Sequence, residues 1–85
     1  MYEVFFSPSA RRDYRKLPRD IVLNVNSAID SLKSFPRPAG SKKLTNRNAY
    51  RIRVADYRII YEIHDDTVTV LVIRIRHRRE VYRNQ

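Results

Sequence analysis

YRIRVADYRIIYEI, residues 50–63, decides how the rest of the chain is read. It holds two short alternating segments joined by Ala55 and Asp56. Side chains on a strand alternate between faces with period two. Tyr50, Ile52 and Val54 therefore share one face, and Arg51 and Arg53 share the other. The second segment sets Tyr57, Ile59, Tyr61 and Ile63 against Arg58, Ile60 and Glu62. A tight hairpin with this pattern puts Arg51, Arg53 and Arg58 on one side of a sheet and an apolar set on the other. Three guanidiniums on one exposed face make a surface suited to phosphate.

Working outward, the stretch after the hairpin is His64-Asp65-Asp66, a turn, followed by TVTVLVIRI at 67–75. This near-continuous apolar run reads as a central strand. With Leu71, Ile73 and Ile75 on its core face, Arg74 and Arg76 join the arginines of the hairpin. The chain closes on HRREVYRNQ, which is polar and basic and carries one aromatic residue, Tyr82.

On the N-terminal side, residues 36–49 (PRPAGSKKLTNRNA) contain two prolines and the only glycine of the chain, Gly40. They read as a surface loop with a basic tip of Lys42, Lys43 and Arg47. Before the loop, Ile21, Val25, Ala28, Ile29, Leu32 and Phe35 recur at helical spacing and give one apolar stripe. A shorter helix, Ser9 to about Lys16, precedes it, with Ser7 as N-cap and Pro8 at the first helical position. Leu17-Pro18 separates the two. Tyr2–Phe6, aromatic and branched, reads as a strand. The order is β-α-α-β-β-β: an α+β fold with a helical hairpin on one face of a mostly antiparallel four-stranded sheet. The sequence does not fix where the first strand joins the sheet; the two-helix crossover allows it a parallel partner, and the last strand is one choice.

Composition bounds the function. Eighty-five residues make one domain, 1–85, and 42% hydrophobic residues suffice for a modest core. Without cysteine there is no disulfide and no thiolate chemistry. The apolar runs are too short to span a bilayer, and MYEVFFSPS lacks the pattern of a signal peptide, so no membrane and a cytoplasmic setting are expected. The net charge is +9 and the pI near 10.5. Residues 1–41 hold seven Lys/Arg against four Asp/Glu, a balance of +3; residues 42–85 hold eleven against five, a balance of +6. Such a surface favours polyanions. His64 and His77 lie too far apart in sequence for a helical ligand pair, and a single glycine excludes the usual glycine-rich phosphate loops, so no metal and no cofactor are expected.

The element order, the YRIRVADYRIIYEI stretch and the ending VIRIRHRREVYR together resemble the RelE/ParE toxin superfamily, and more narrowly its RelE branch of mRNA-cleaving toxins. The resemblance covers essentially the whole chain. It implies the toxin of a type II toxin–antitoxin system: an endoribonuclease that enters the ribosomal A site, cuts the message there, and is held inactive by a cognate antitoxin. Arg51 and Arg53 match two basic strand residues that are usually lysine in that branch, and Arg58 matches the arginine of the next strand. Arg78 matches the arginine that steadies the scissile phosphate, with Arg79 its rival. Tyr82 matches the C-terminal tyrosine that stacks on the substrate nucleotide and is a candidate to help deprotonate it. Arg76 stands where many relatives have glycine.

The chemistry can be reasoned from the residues as well. RNA supplies its own nucleophile, the 2′-hydroxyl. Cleavage needs that group deprotonated, the extra charge at phosphorus stabilised and the 5′-oxygen protonated as it leaves. Clustered guanidiniums suit the second task. This makes Arg58 and Arg78 the candidate charge stabilisers and Arg51, Arg53, Arg74 and Arg76 candidate RNA contacts, with Lys42, Lys43 and Arg47 at the periphery. Tyr82 and His77 are the candidates for proton transfer. Two other classes stay open: a ParE-like gyrase-binding toxin without chemistry of its own, and a catalytically degenerate RNA or ribosome binder. An acidic antitoxin is the protein partner expected from the charge.

Overall fold

Ser7 carries the first decisive local interaction. Its side chain accepts the Ala10 N–H at 3.0 Å, which caps a helix with Pro8 in its first turn, and its hydroxyl donates to the Ile73 carbonyl at 2.7 Å, 66 residues away. One residue thus starts a helix and fastens it to the sheet. The structure, a computed structural model, describes residues 1–45 and 48–79. Arg47 and Tyr82 lie outside the described residues.

The elements are β1 (Glu3–Phe6), α1 (Pro8–Arg15), α2 (Arg19–Ser34), β2 (Lys42–Lys43), β3 (Ala49–Val54), β4 (Tyr57–His64) and β5 (Thr69–His77). The sheet order is β1-β5-β4-β3-β2, with β1 parallel to β5 and the other neighbours antiparallel. The α+β class and the helical hairpin are as expected; the parallel pairing of the first and last strands settles a placement that the sequence left open. The sheet gains a fifth strand, because Lys42 and Lys43 leave the expected loop to pair with Arg51 and Tyr50 at the edge. Among the described residues no helix is long and apolar enough to cross a membrane.

The core lies between the helices and one face of the sheet. Val25, Ile29 and Leu32 of α2 and Ala10 of α1 pack against Ile52, Ile59, Tyr61, Ile63, Val70, Val72 and Ile75. Burying each of the larger aliphatic side chains is worth about 1.5–3 kcal/mol. Phe35, counted with the helical stripe from sequence, is 71% exposed, because the chain leaves helical geometry there (φ −137°, ψ 87°). The Tyr61 hydroxyl donates to the Pro36 carbonyl at 2.8 Å, and burial pushes its pKa up to about 12.

The core face of β5 differs from the sequence reading. Val70 and Val72 are fully buried, whereas Leu71 and Ile73 are only half-buried. Ile60 pairs with Arg74 and Tyr61 with Val72, so Ile73 has no partner on β4. It is the extra residue of a β-bulge, which resets the alternation. Before the bulge the Val70 phase faces the helices; after it the Ile75 phase does. Strict period-two reading from Leu71 to Ile75 cannot contain that step.

Candidate active site

Three arginines stand in a row across three strands. Arg53 of β3 is paired with Arg58 of β4, and Arg58 with Arg76 of β5. All three lie on the face opposite the helices, because their strand neighbours Ile52, Ile59 and Ile75 are in the core. Directly opposed side chains have Cβ atoms about 5 Å apart, and like charges so placed cost roughly 0.2–1 kcal/mol per pair. Arg58, in the middle, is the only buried charged residue among the described residues, 9% exposed. A bound polyanion turns the repulsion into attraction.

The row continues along the face. Arg51 is opposite Ile60 and also opposite Lys42, so the edge strand β2 extends the basic surface by one residue. Lys43 pairs with Tyr50 and belongs to the other face. A cavity of about 290 Å³ is lined by Gly40, Lys42, Arg51, Ile52, Arg53 and Arg58. Gly40 has φ +91°, which glycine adopts without strain, and the turn it makes brings this loop over the sheet.

The β3–β4 turn closes the other end of the row. It is a two-residue loop, and Ala55 at its first position has φ +53°, the conformation such hairpins require. Ala55, Asp56 and Tyr57, with Arg53, Arg58 and Arg78, line a small recess. Arg78 enters this group from beyond the end of β5. Its backbone N–H donates to the Asp56 carbonyl at 2.7 Å. The next N–H, of Arg79, donates to His77 Nδ1 at 3.1 Å. The His77 ring meets Tyr57 edge-on, with centroids 5.1 Å apart and planes at 88°. His77 is paired with Tyr57, in the phase of Ile75, so it lies on the helix side of the sheet and not with Arg53, Arg58 and Arg76.

Arg74 sits elsewhere from what its alternation suggests. Its guanidinium makes a two-pronged ion pair with Asp13 of α1, Nε to Oδ2 at 2.8 Å and a terminal nitrogen to Oδ1 at 3.2 Å. The same Oδ2 accepts the Ile75 N–H at 2.9 Å. β1 ends at Phe6, opposite Val72, so the later part of β5 has no strand on that side. Asp13 takes the place of the missing strand there. Sequence reasoning missed Asp13 because its partners are 61 and 62 residues away and nothing local marks it. Asp56 was read only as a turn residue; its carbonyl is what meets the C-terminal segment.

The structure thus brings together Arg51, Arg53, Arg58, Arg76, Arg78 and Lys42, and sets Lys43 and Arg74 apart; His77 lies on the helix side of the sheet but lines an open cavity with Asp56, Arg78 and Arg79. Among the described residues, no group of three or more His, Cys, Asp or Glu side chains could hold a metal ion.

Known proteins are similar to this chain in sequence and fold. A family model described as the ParE toxin of the type II toxin–antitoxin system parDE matches residues 4–82. The toxin RelG of Mycobacterium tuberculosis is 38% identical over 85 residues, covering 96% of this chain and 97% of RelG. The mRNA interferase toxin RelE of Escherichia coli K12 is 28% identical, covering 95% of this chain and 90% of RelE. Among solved structures, the isolated E. coli RelE toxin superposes with a TM-score of 0.82 at 26% identity, over 99% of this chain and 94% of that one. The toxin–antitoxin complex RelBE2 of M. tuberculosis gives 0.79 at 35% identity, over 91% and 98%. With a match running from the first strand to the C-terminal segment, this chain belongs to the ParE toxin family of type II toxin–antitoxin systems, within the RelE/ParE superfamily.

Proposed function

We propose that this toxin is a ribosome-dependent endoribonuclease that cleaves mRNA in the ribosomal A site. The observation that carries the reading is the row Arg53–Arg58–Arg76 across three strands, with Arg78 brought beside it. In the proposed reaction the 2′-oxygen attacks the adjacent phosphorus as its proton leaves. The bond from phosphorus to the 5′-oxygen breaks, and that oxygen takes up a proton. The products are a 2′,3′-cyclic phosphate, or the 3′-phosphate from its hydrolysis, and a 5′-hydroxyl end. Arg58 and Arg78 stabilise the charge that builds up on the phosphate oxygens, and a cluster fixed before reaction does so without reorganising. Arg51, Arg53, Arg76 and Lys42 position the backbone through its phosphates, a task that fits their strand spacing and carries no base specificity. Tyr82 is the group proposed to take the 2′-hydroxyl proton, by the resemblance described above. The relatives of known name, an mRNA interferase among them, support the reading. An acidic antitoxin is the proposed protein partner, in keeping with the toxin–antitoxin complexes among the structural neighbours.

Primer extension on ribosomes stalled at a defined codon tests this. Wild-type protein should cut within the A-site codon, and not in free mRNA. Arg58→Ala and Arg78→Ala should each lower the single-turnover rate roughly 100- to 1,000-fold. Full activity in both variants would remove the arginine cluster from the mechanism. A second reading, a ParE-like toxin that binds DNA gyrase without chemistry of its own, is kept because the matching family model is that of a ParE toxin. Loss of gyrase supercoiling activity on adding the toxin, with the message left intact, would establish that reading instead.

A further inference from the structure

The geometry points to His77 as a positioning residue, an acceptor that holds the turn presenting Arg78, and not as a carrier of protons. Three observations bear on it. First, the Arg79 N–H donates to His77 Nδ1 at 3.1 Å. A nitrogen that accepts a backbone N–H holds no proton, so the neutral ring carries its proton on Nε2. The one ring nitrogen with a lone pair is therefore already engaged, and it has nothing left with which to take the proton of a 2′-hydroxyl. Second, His77 stands in the Ile75 phase of β5, on the helix side of the sheet, edge-on to Tyr57 at 5.1 Å. The row Arg53–Arg58–Arg76 is on the opposite face, and of the proposed site only Arg78 shares a cavity with His77. Third, the neighbouring N–H, of Arg78, is tied to the Asp56 carbonyl at 2.7 Å.

Two consecutive amides at the end of β5 thus have fixed acceptors, one on the β3–β4 turn and one on the imidazole. Between them they set where the Arg78 Cα sits and which way its side chain leaves the backbone, into the recess with Arg53 and Arg58. The Tyr57 ring limits the tilt of the imidazole and so fixes the position of Nδ1. Loosening the Arg79 bond lets the turn rotate, and a displacement of an ångström at a charge-stabilising group costs on the order of 100-fold in rate.

The activity arm of the test rests on the ribonuclease reading; the second arm does not. Asparagine at position 77 can place its Oδ1 near the Nδ1 position, as an acceptor with no titrating proton. Glutamine places its amide nearer Nε2 and leaves the Nδ1 position empty. In the A-site cleavage assay, His77→Asn should stay within about threefold of wild type and keep the same pH–rate profile. His77→Gln and His77→Ala should fall roughly 10- to 100-fold in kcat with little change in KM. A proton-transfer role predicts a different pattern: His77→Asn as inactive as His77→Ala, with one limb of the pH profile lost. That result would overturn the assignment. In parallel, amide hydrogen exchange of the full chain without RNA reads the bond itself. The Arg79 amide should be protected in wild type and His77→Asn and exchange about tenfold faster in His77→Gln and His77→Ala. Equal exchange in all four proteins would overturn it as well. If the wild-type protein cuts no message, the ribonuclease reading fails, and the exchange arm still decides whether His77 holds the turn.

Discussion

Asp65 draws together side chains from distant parts of the chain. It accepts the Tyr2 hydroxyl at 2.6 Å and a guanidinium nitrogen of Arg37 at 2.9 Å, and the Arg37 Nε meets the Tyr50 hydroxyl at 3.2 Å. Four segments meet there: the residue before β1, the loop after α2, the start of β3 and the β4–β5 turn. The hydrogen bonds from Arg37 and Tyr2 hold the Asp65 carboxyl below its ordinary range, and the one from Tyr2 to Asp65 raises the phenol. A carboxylate whose pKa is depressed on folding stabilises the fold above its unfolded pKa of about 3.9, and that contribution fades as pH falls through the folded value. Urea midpoints measured from pH 7 down to 2 should therefore show Asp65→Asn less stable than wild type at neutral pH, with the gap closing below about pH 4. A gap that stays constant across the range would mean the carboxylate charge is not what matters. The charged groups of the hairpin were readable from alternation alone. The Asp65 cluster was not, because Tyr2, Arg37 and Tyr50 come from three other parts of the chain.

At the scale of elements, β5 decides more than its apolar sequence suggests. It is central where β1 flanks it and an edge beyond Val72. The bulge at Ile73 falls at that change, where the Ser7 hydroxyl reaches the Ile73 carbonyl. Asp13 then meets the Ile75 N–H and Arg74, so α1 supplies what a strand would have supplied. The Asp13 side chain is 14% exposed and its bonds are charge-assisted, each of a kind worth roughly 1.5–3 kcal/mol. Asp13→Ala should cost about 2 kcal/mol or more in urea unfolding. A double-mutant cycle with Arg74→Met should return a coupling of about 1 kcal/mol or more. Additive losses would show that the two side chains stabilise the fold independently. Because this clasp lies only a few residues before His77 and Arg78, the Asp13 variant should also lose protection at the amides of 76–79 before the rest of the sheet does.

For the molecule as a whole, charge sets the partners. A net +9 on 85 residues gives a long-range field that favours polyanionic partners, which is the basis for proposing an acidic antitoxin. Association with the proposed antitoxin should weaken about tenfold or more between 0.05 and 0.5 M salt, chiefly through the on-rate, as the screening length shrinks from above 10 Å to a few ångströms. Stopped-flow binding measures this, and a salt-independent on-rate would point to a largely apolar interface. The parallel seat of the first strand beside β5 comes from the structure; the sequence alone carries the α+β order of elements, the helical hairpin and the arginine face of the central hairpin. Each of these follows from a periodicity of two or 3.6 or from a capping residue, and such signals are complete within a dozen positions. Only the tertiary structure decided which phase of β5 faces the helices, that Lys42 joins the basic face while Arg74 turns to Asp13, and that His77 stands behind the sheet. A bulge, a fifth edge strand and an ion pair across 61 residues are set by which strands meet and where one of them ends, and no local pattern carries that information.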